Sequence, residues 1–287
     1  MKRDQKASLD YWDKWVTYVA GRIPRMWQVL NQEGGEVSYD PKYAFQIAQA
    51  HWEQILRKYS RGDTTEPLNM HFPGLLDAWE ESTRLGQELF SVSSSPPEES
   101  WDFDLDYYII CFWLTGLALT LNIPDEQWER LLALMDNEGK DALLDSVIAS
   151  RKKGRPIGAK LCFSAAYGKL HDVILAPSEQ QPKLLRTYLD GWYASLEKAG
   201  PPSRSPIYRR PYWYRFGDSN LEGGAYFGRW CIEAVAVAKA FNIDDTLCLD
   251  HPHYPGDLLK DGRSPRYPDT SALVKKNWLG RFFGGKP

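Results

Sequence analysis

Two imidazoles and two carboxylates lie close together near the C-terminus, in residues 250–257 (DHPHYPGD). Histidine nitrogens and aspartate oxygens are ligands of divalent metals such as zinc. A metal-dependent hydrolase that uses His251, His253 and Asp257 is therefore one hypothesis. The sequence shows no further residues that would orient such ligands, and the prolines indicate an irregular loop. We therefore favour a structural loop, and we expect no metal, no cofactor and no small-molecule substrate.

The motifs of several enzyme classes are absent from the chain. It has no glycine-rich phosphate-binding loop, no Gly-x-Ser-x-Gly, no His-Glu-x-x-His and no paired Cys-x-x-Cys. Asp244 and Asp245 follow an apolar segment as in the Asp-rich motif of helical terpene synthases, but Cys248 stands where that motif needs a third carboxylate. We predict that the protein is not an enzyme and has no catalytic residues.

Two basic segments suggest nucleic-acid binding as a second alternative. Residues 151–156 (RKKGRP) resemble the core of an AT-hook, and residues 208–215 (YRRPYWYR) interleave basic and aromatic side chains as single-strand binders do. However, the net charge is -3 and the pI is about 6.0, whereas nucleic-acid binding needs a local surplus of Lys and Arg. We expect no nucleic-acid partner.

Acidic side chains beside aromatic ones favour a protein-binding surface instead. They crowd residues 98–106 and recur in residues 125–129. Aromatic anchors ringed by carboxylates suit a basic partner surface such as a nuclease cleft, because charge speeds the encounter and the rings supply buried area. Some of these acids could simply stabilise a helix start. The candidate contact residues are Glu98, Glu99, Trp101, Asp102, Asp104, Asp106, Asp125, Glu126, Trp128 and Glu129.

Composition indicates an ordinary folded protein. The 287 residues are 43% hydrophobic and 25% charged, unlike the polar, highly charged profile of a disordered chain. The most apolar stretch, residues 107–123, is interrupted by Thr115, Gly116 and Thr120, so we predict a core helix and no membrane partner. The N-terminus lacks the apolar region of a signal peptide. We expect a cytoplasmic protein with free cysteines.

Apolar residues recur at helical spacing almost throughout, and alternating strand-like patterns are nearly absent. This pattern predicts an all-α fold. We expect Ser8, Asp40 and Ser178 to cap helices, and Gly62 to end the second one. The predicted helices cover residues 12–30, 44–59, 75–89, 101–122, 125–135, 138–150, 159–175, 178–199, 223–242 and, as a short helix, 255–260.

The chain also echoes itself at an offset of 120 residues. At this offset, residues 111–125 match 231–245 at the Cys, Ala, Asn, Ile and Asp positions. The Leu-Asp-x-Trp of 76–79 also recurs, at 189–192 and at a different offset. Either a tandem duplication or chance similarity between amphipathic helices would give this pattern. We predict two related helical halves packed into one compact assembly, an N-terminal domain of residues 1–150 and a C-terminal domain of residues 151–287 with a basic tail.

The segment 226–245 (YFGRWCIEAVAVAKAFNIDD), followed by 253–258 (HYPGDL), resembles the C-terminal signature of the PoNi immunity family. His253 replaces the first of two tyrosines in that signature. Residues 184–193 (LLRTYLDGWY) also resemble the family, and residues 107–121 are similar to its less distinctive N-terminal domain. The signature residues are Tyr188, Trp192, Tyr226, Gly228, Trp230, Glu233, Asp244, Asp245, Tyr254, Pro255 and Asp257.

The resemblance implies an all-helical, non-enzymatic protein that protects its producer from a DNase toxin delivered by type VI or related secretion. We interpret the signature residues as structural. Gly228 would let helices approach, Trp230 would fill the core, and Glu233 would need a buried partner. The candidate partners of Glu233 are Arg229, Arg215 and Tyr254. Inhibition could occur by plugging the toxin's active cleft or by blocking toxin self-association.

Overall fold

The computed structural model describes residues 1–32, 39–90, 104–203, 205–219 and 221–269, without the side chains of 88–90 and 207. Over these ranges the chain forms helices and one isolated β-bridge, so the all-α prediction is confirmed. The helices are α1 (Leu9–Leu30), α2 (Asp40–Arg61), α3 (Phe72–Phe90), α4 (Leu105–Thr120), α5 (Asp125–Met135), α6 (Ala142–Ala149), α7 (Ser164–Leu175), α8 (Gln181–Ser195) and α9 (Ile232–Phe241).

Local capping chemistry sets several of these boundaries. The Ser8 side chain accepts a hydrogen bond from the Tyr11 amide at the start of α1, as predicted, and Gly62 ends α2 with φ +106°. Asp40 and Ser178 are not caps. The helices α2 and α8 instead begin one residue before Pro41 and Pro182, because proline suits the first turn of a helix.

The last long helix is shorter than predicted. It covers Ile232–Phe241 and not residues 223–242, because the preceding segment cannot be helical. Gly224 and Gly228 adopt φ values of +72° and +103°, and the Cys231 amide donates to the carbonyl of His253 (2.8 Å). A long-range contact therefore replaces the helical hydrogen bond that the apolar pattern suggested.

Helices α4 and α9 pack against each other within the main hydrophobic core. Every residue of α4 except Asp106 is buried, and a Cβ atom at Gly116 would lie only 2.8 Å from the side chain of Ile232. The helix pairs α2–α3 and α7–α8 belong to the same core and contribute the buried rings of Trp79 and Trp192. The molecule is thus an all-α assembly of two halves.

The two segments that echo each other in sequence also end their helices in the same way. Asn122 and Asn242 both adopt left-handed backbone conformations, with φ of +50° and +52°. The amide of the isoleucine that follows each asparagine donates to the carbonyl of an alanine, at 3.2 Å from Ala118 and 3.0 Å from Ala238. This is the Schellman closure of a helix end.

The division into domains at residue 151 stays a prediction.

The first seven residues bind the two ends of the chain together. Lys2 forms the isolated bridge with Tyr267, and the buried Arg3 guanidinium pairs with Asp257 (2.6 Å) and Asp261 (2.7 Å). The Tyr226 hydroxyl donates to Asp4 (2.6 Å).

None of the described helices is both long and apolar enough to cross a bilayer.

Candidate functional site

Two acidic residues of the C-terminal signature, Asp245 and Asp257, are paired with arginines. Asp245 pairs with Arg263 and accepts a hydrogen bond from Tyr254 (2.8 Å). Asp257, which is fully buried, pairs with Arg3 (2.6 Å) and Arg266 (2.5 Å). Burial alone would raise the pKa of Asp257, but hydrogen bonds from the Ser264 amide and from Arg3 outweigh it and lower the pKa to about 2. These two carboxylates therefore hold loops in place through their ion pairs with arginines.

Glu233 is fully buried, as its place on an apolar face predicted, but it lies in the first turn of α9 and not in the interior of a longer helix, and its partner differs. The Tyr167 hydroxyl of α7 donates to Glu233 (2.8 Å), and burial raises the pKa of Glu233 to about 7. The three partners that we expected bond elsewhere: Arg229 to Asp218, Arg215 to Glu197, and Tyr254 to Asp245. Tyr167 belongs to α7, so Glu233 is held by a neighbouring helix and by none of the three expected partners.

Gly228 and Trp230 bring the signature loop onto α2. A Cβ atom at Gly228 would collide with the Trp230 ring and with the Ser60 hydroxyl. Trp230 is buried, as predicted, and its indole donates to the Ser60 hydroxyl (2.8 Å). Gly228 thus allows a loop, and not a helix, to approach α2. Of the other signature residues, Tyr188, Trp192, Tyr226 and Pro255 are buried, whereas Asp244 is exposed.

The histidine segment does not assemble a set of metal ligands. The His251 ring accepts from the His253 amide (3.2 Å), and the His253 ring lies 2.9 Å from the carbonyl of Arg229. Asp257 is occupied by Arg3 and Arg266. Across the part of the chain that the structure describes, no three His, Cys, Asp or Glu side chains are placed to hold a metal ion. The geometry therefore gives the hydrolase hypothesis no support.

The AT-hook-like segment, residues 151–156, pairs with the acidic side chains of residues 125–129. Arg151 pairs with Asp125 (2.7 Å), Lys152 pairs with Glu129 (2.5 Å), and the Arg151 guanidinium lies 5.0 Å above the Trp128 ring. In residues 208–215, the rings of Trp213 and Tyr214 are buried in the core and cannot stack on bases. Arg151, Lys152, Trp213 and Tyr214 are thus used within the fold, whereas Tyr208 is exposed.

The candidate contact residues fall into four groups. Asp125, Glu126 and Glu129 are exposed on α5. Asp104 caps α4 through the Tyr107 amide (2.9 Å), Asp106 accepts from the Tyr212 amide (2.9 Å), and burial raises the pKa of Asp106 to about 6. Trp128 is only 2% exposed, so its ring belongs to the core. The remaining candidates, Glu98, Glu99, Trp101 and Asp102, lie outside the described residues.

Helix α3 adds two carboxylates that the sequence analysis missed. Asp77 and Glu80 are exposed, and Arg130 of α5 pairs with both (2.7 Å each). Their i,i+3 spacing on the polar side of an amphipathic helix was the available signal. We call the resulting surface the acidic face, which consists of Asp77, Glu80, Asp125, Glu126 and Glu129.

Comparison with protein families matches both parts of the chain. The family model for the N-terminal domain of PoNe immunity proteins (PoNi) matches residues 30–133, and the model for the C-terminal domain of PoNi matches residues 139–258. The chain belongs to the PoNi family. It is therefore an immunity protein of the kind that acts against PoNe nuclease toxins.

The fold has a counterpart among solved structures. The crystal structure of protein PA2201 from Pseudomonas aeruginosa is similar to this PoNi protein with a TM-score of 0.66 and 18% sequence identity, over 91% of this chain and 90% of that chain. At this identity the likeness concerns the fold alone. No curated protein matches the sequence.

The two kinds of acidic residue belong to different PoNi domains. The acidic face lies within the N-terminal match, and the buried Asp245 and Asp257 lie within the C-terminal match. Of these, the acidic face is exposed and accessible to a partner protein, whereas Asp245 and Asp257 are buried. The acidic face is therefore our candidate for binding the toxin.

Proposed function

We propose that this PoNi protein binds one cognate DNase toxin of a type VI secretion system and neutralises it as a one-to-one complex in the cytoplasm. The proposal requires no bond to be made or broken by the immunity protein. It is supported by the family match to both domains and by the exposed carboxylates of the acidic face. The candidate partner is therefore a protein, and we propose no nucleic-acid, membrane or small-molecule substrate.

The charge of the acidic face is the observation that carries the proposed binding mode. Three cations, Arg130, Arg151 and Lys152, pair with four of its five carboxylates, and so the face keeps a net negative charge. A DNase cleft must carry positive charge, because it holds the phosphate backbone of its substrate. Opposite charges steer two proteins together and raise the association rate constant.

We favour direct occlusion of the toxin's cleft over interference with toxin self-association. An interface of about 800 Å² on each partner is usual for a specific complex. The exposed side of α3 and α5 offers carboxylates on two adjacent helices, and Arg130 holds the helices in register by pairing with Asp77 and Glu80. A preformed surface of this kind binds without a large cost of ordering.

Charge reversal on α5 tests this binding mode. In the double variant Glu126→Lys and Glu129→Lys, we expect the association rate constant with the toxin to fall about tenfold or more at low salt, and the difference to shrink as salt is added. Stopped-flow fluorescence measures both effects. The matched control is Asp172→Lys with Glu179→Lys, which reverses two exposed acids in the C-terminal half.

If the two double variants associate with the toxin at equal rates, the acidic face does not contact the toxin's cleft. Interference with toxin self-association would then be the remaining mode of inhibition. Asp104 and Asp106 are poor positions for this test. They cap α4 and bind the Tyr212 amide, so replacing them would disturb the fold as well as the charge.

A further inference from the structure

A cleft between α1 and α2 has a chemistry opposite to that of the acidic face. Its volume is about 260 Å³, and both helices contribute to its walls. The polar side chains that line it are Arg22, Gln46, Gln49, Glu53 and Arg57. Neither the family signature nor the acidic face includes any of these residues.

Arg57 lies in this cleft with hydrogen-bonding groups to spare. Its side chain is only 4% exposed, and its Nη2 atom donates to Glu53 (3.0 Å) and to the carbonyl of Gly224 (3.1 Å). The Nε and Nη1 atoms are buried and have no hydrogen-bond partner among the described residues. Buried N–H groups of a charged side chain are costly to leave unpaired, so this arrangement indicates a site that a ligand completes.

Glu53 does not satisfy those groups, because its carboxylate bonds to Arg57 only at the Nη2 atom. Its Oε1 atom accepts from Gln49 (2.8 Å) and Tyr212 (3.4 Å), and its Oε2 atom accepts from Arg57. The charges of Glu53 and Arg57 offset each other. Arg22 is exposed on α1 and forms no ion pair within the described ranges. The cleft is thus left with an uncompensated positive charge and a surplus of donors.

We propose that the α1–α2 cleft binds a single carboxylate group. One negative charge balances Arg22, and the oxygens accept hydrogen bonds from arginine. A doubly charged phosphate would be repelled by Glu53. The volume suits a short acid. The carboxylate comes either from a free small acid or from an acidic side chain of the toxin, and the second source rests on the proposed function.

Two variants and one control test the cleft. Arg22→Ala removes the exposed cation, and Arg57→Gln removes the buried one. The matched control is Arg25→Ala, an exposed arginine of α1 that does not line the cleft. Circular dichroism shows which variants are folded. Because Arg22 is exposed, its replacement leaves a folded protein even if Arg57→Gln does not fold.

Each source has its own measurement. For a free acid, calorimetric titration with propionate, a singly charged acid, at constant ionic strength is expected to show binding to the wild-type protein, weakened about tenfold in Arg22→Ala and unchanged in Arg25→Ala. For a toxin side chain, propionate does not bind, and the affinity for the toxin falls about tenfold in Arg22→Ala but not in Arg25→Ala. Either pattern supports the cleft as a carboxylate site.

The inference is overturned if propionate does not bind and the toxin binds the wild type and Arg22→Ala equally well. The proposed function survives that result, because the toxin still binds. If the toxin does not bind the wild-type protein at all, the proposed function fails, and the propionate titration alone decides whether the cleft is a carboxylate site.

Discussion

The C-terminal signature and the acidic face use the same functional group for opposite purposes. Asp245 and Asp257 are buried. Asp245 pairs with Arg263 in the adjacent loop, and Asp257 pairs with Arg3, which lies far from it in sequence. Asp125, Glu126 and Glu129 lie on the solvent side of α5. Removing one partner of a buried ion pair leaves the other charge uncompensated, whereas an exposed ion pair contributes little to stability. The signature therefore maintains the fold, and the acidic face is available for a partner.

The largest effect is expected from Asp257→Ala. This change leaves the buried Arg3 guanidinium without its main partner, and we expect the free energy of unfolding to fall by about 3–5 kcal/mol. Urea unfolding measures it. Asp250→Ala, which removes an exposed carboxylate paired with Arg186, is the control and should change little. Equal effects at the two positions would remove the distinction between buried and exposed acids.

The pH dependence of Asp257 follows from its lowered pKa. Because the folded pKa of about 2 lies below the usual value of 3.8, the carboxylate stabilises the fold above about pH 4. This stabilisation is lost as the pH falls from 4 through 2. Thermal unfolding across that range should show the loss in the wild type and not in Asp257→Ala.

Gly228→Ala should have the next largest effect. The left-handed backbone and the collision with Trp230 and Ser60 together are expected to cost about 3–4 kcal/mol. Gly223→Ala in the same loop is the control, since a Cβ atom there meets nothing within 4 Å. If the two variants unfold at the same urea concentration, the loop at Gly228 does not approach α2 as closely as we describe.

Replacing Glu233 with glutamine should increase the stability of the protein at neutral pH. Its folded pKa of about 7 lies above the usual 4.5, so the wild type should lose stability as the pH rises from 4.5 through 7. Glu233→Gln keeps an acceptor for Tyr167 and removes this loss, which amounts to at most about 3 kcal/mol. Urea unfolding at pH 5 and pH 8 tests this. A variant with the same pH slope as the wild type would contradict it.

The smallest change in stability is expected on the acidic face. The Asp125 side chain is 94% exposed, and Asp125→Asn removes only its surface pair with Arg151, so the free energy of unfolding should change by less than about 0.5 kcal/mol. Asp245→Asn is the buried counterpart and should cost clearly more. A large loss of stability in Asp125→Asn would mean that the acidic face is part of the fold's support.

Local patterns were enough to predict much of the fold. Helical spacing predicted the all-α class, and Ser8 and Gly62 mark helix ends because they act on their own neighbours. The start of α9 was not predictable in this way. It depends on the contact of the Cys231 amide with His253 and on Gly228 approaching α2, and both are contacts between distant parts of the chain.

The site was predictable only in part, for the same reason. The composition of residues 125–129 indicated exposed carboxylates, but the burial of Trp128 and the pairing of Arg151 with Asp125 depend on how α5 meets the segment after α6. Asp77 and Glu80 join the surface only because α3 packs beside α5. The partner of Glu233, Tyr167, likewise follows from the packing of α7 against α9.

The most direct test of the central claim is a titration of the cognate PoNe toxin with this protein while DNA cleavage is measured. The proposed stoichiometric inhibition predicts that cleavage falls in proportion to the added protein and stops at one molar equivalent. Cleavage that continues in the presence of excess protein would contradict it, and so would complete inhibition by far less than one equivalent, which would indicate a catalytic action on the toxin.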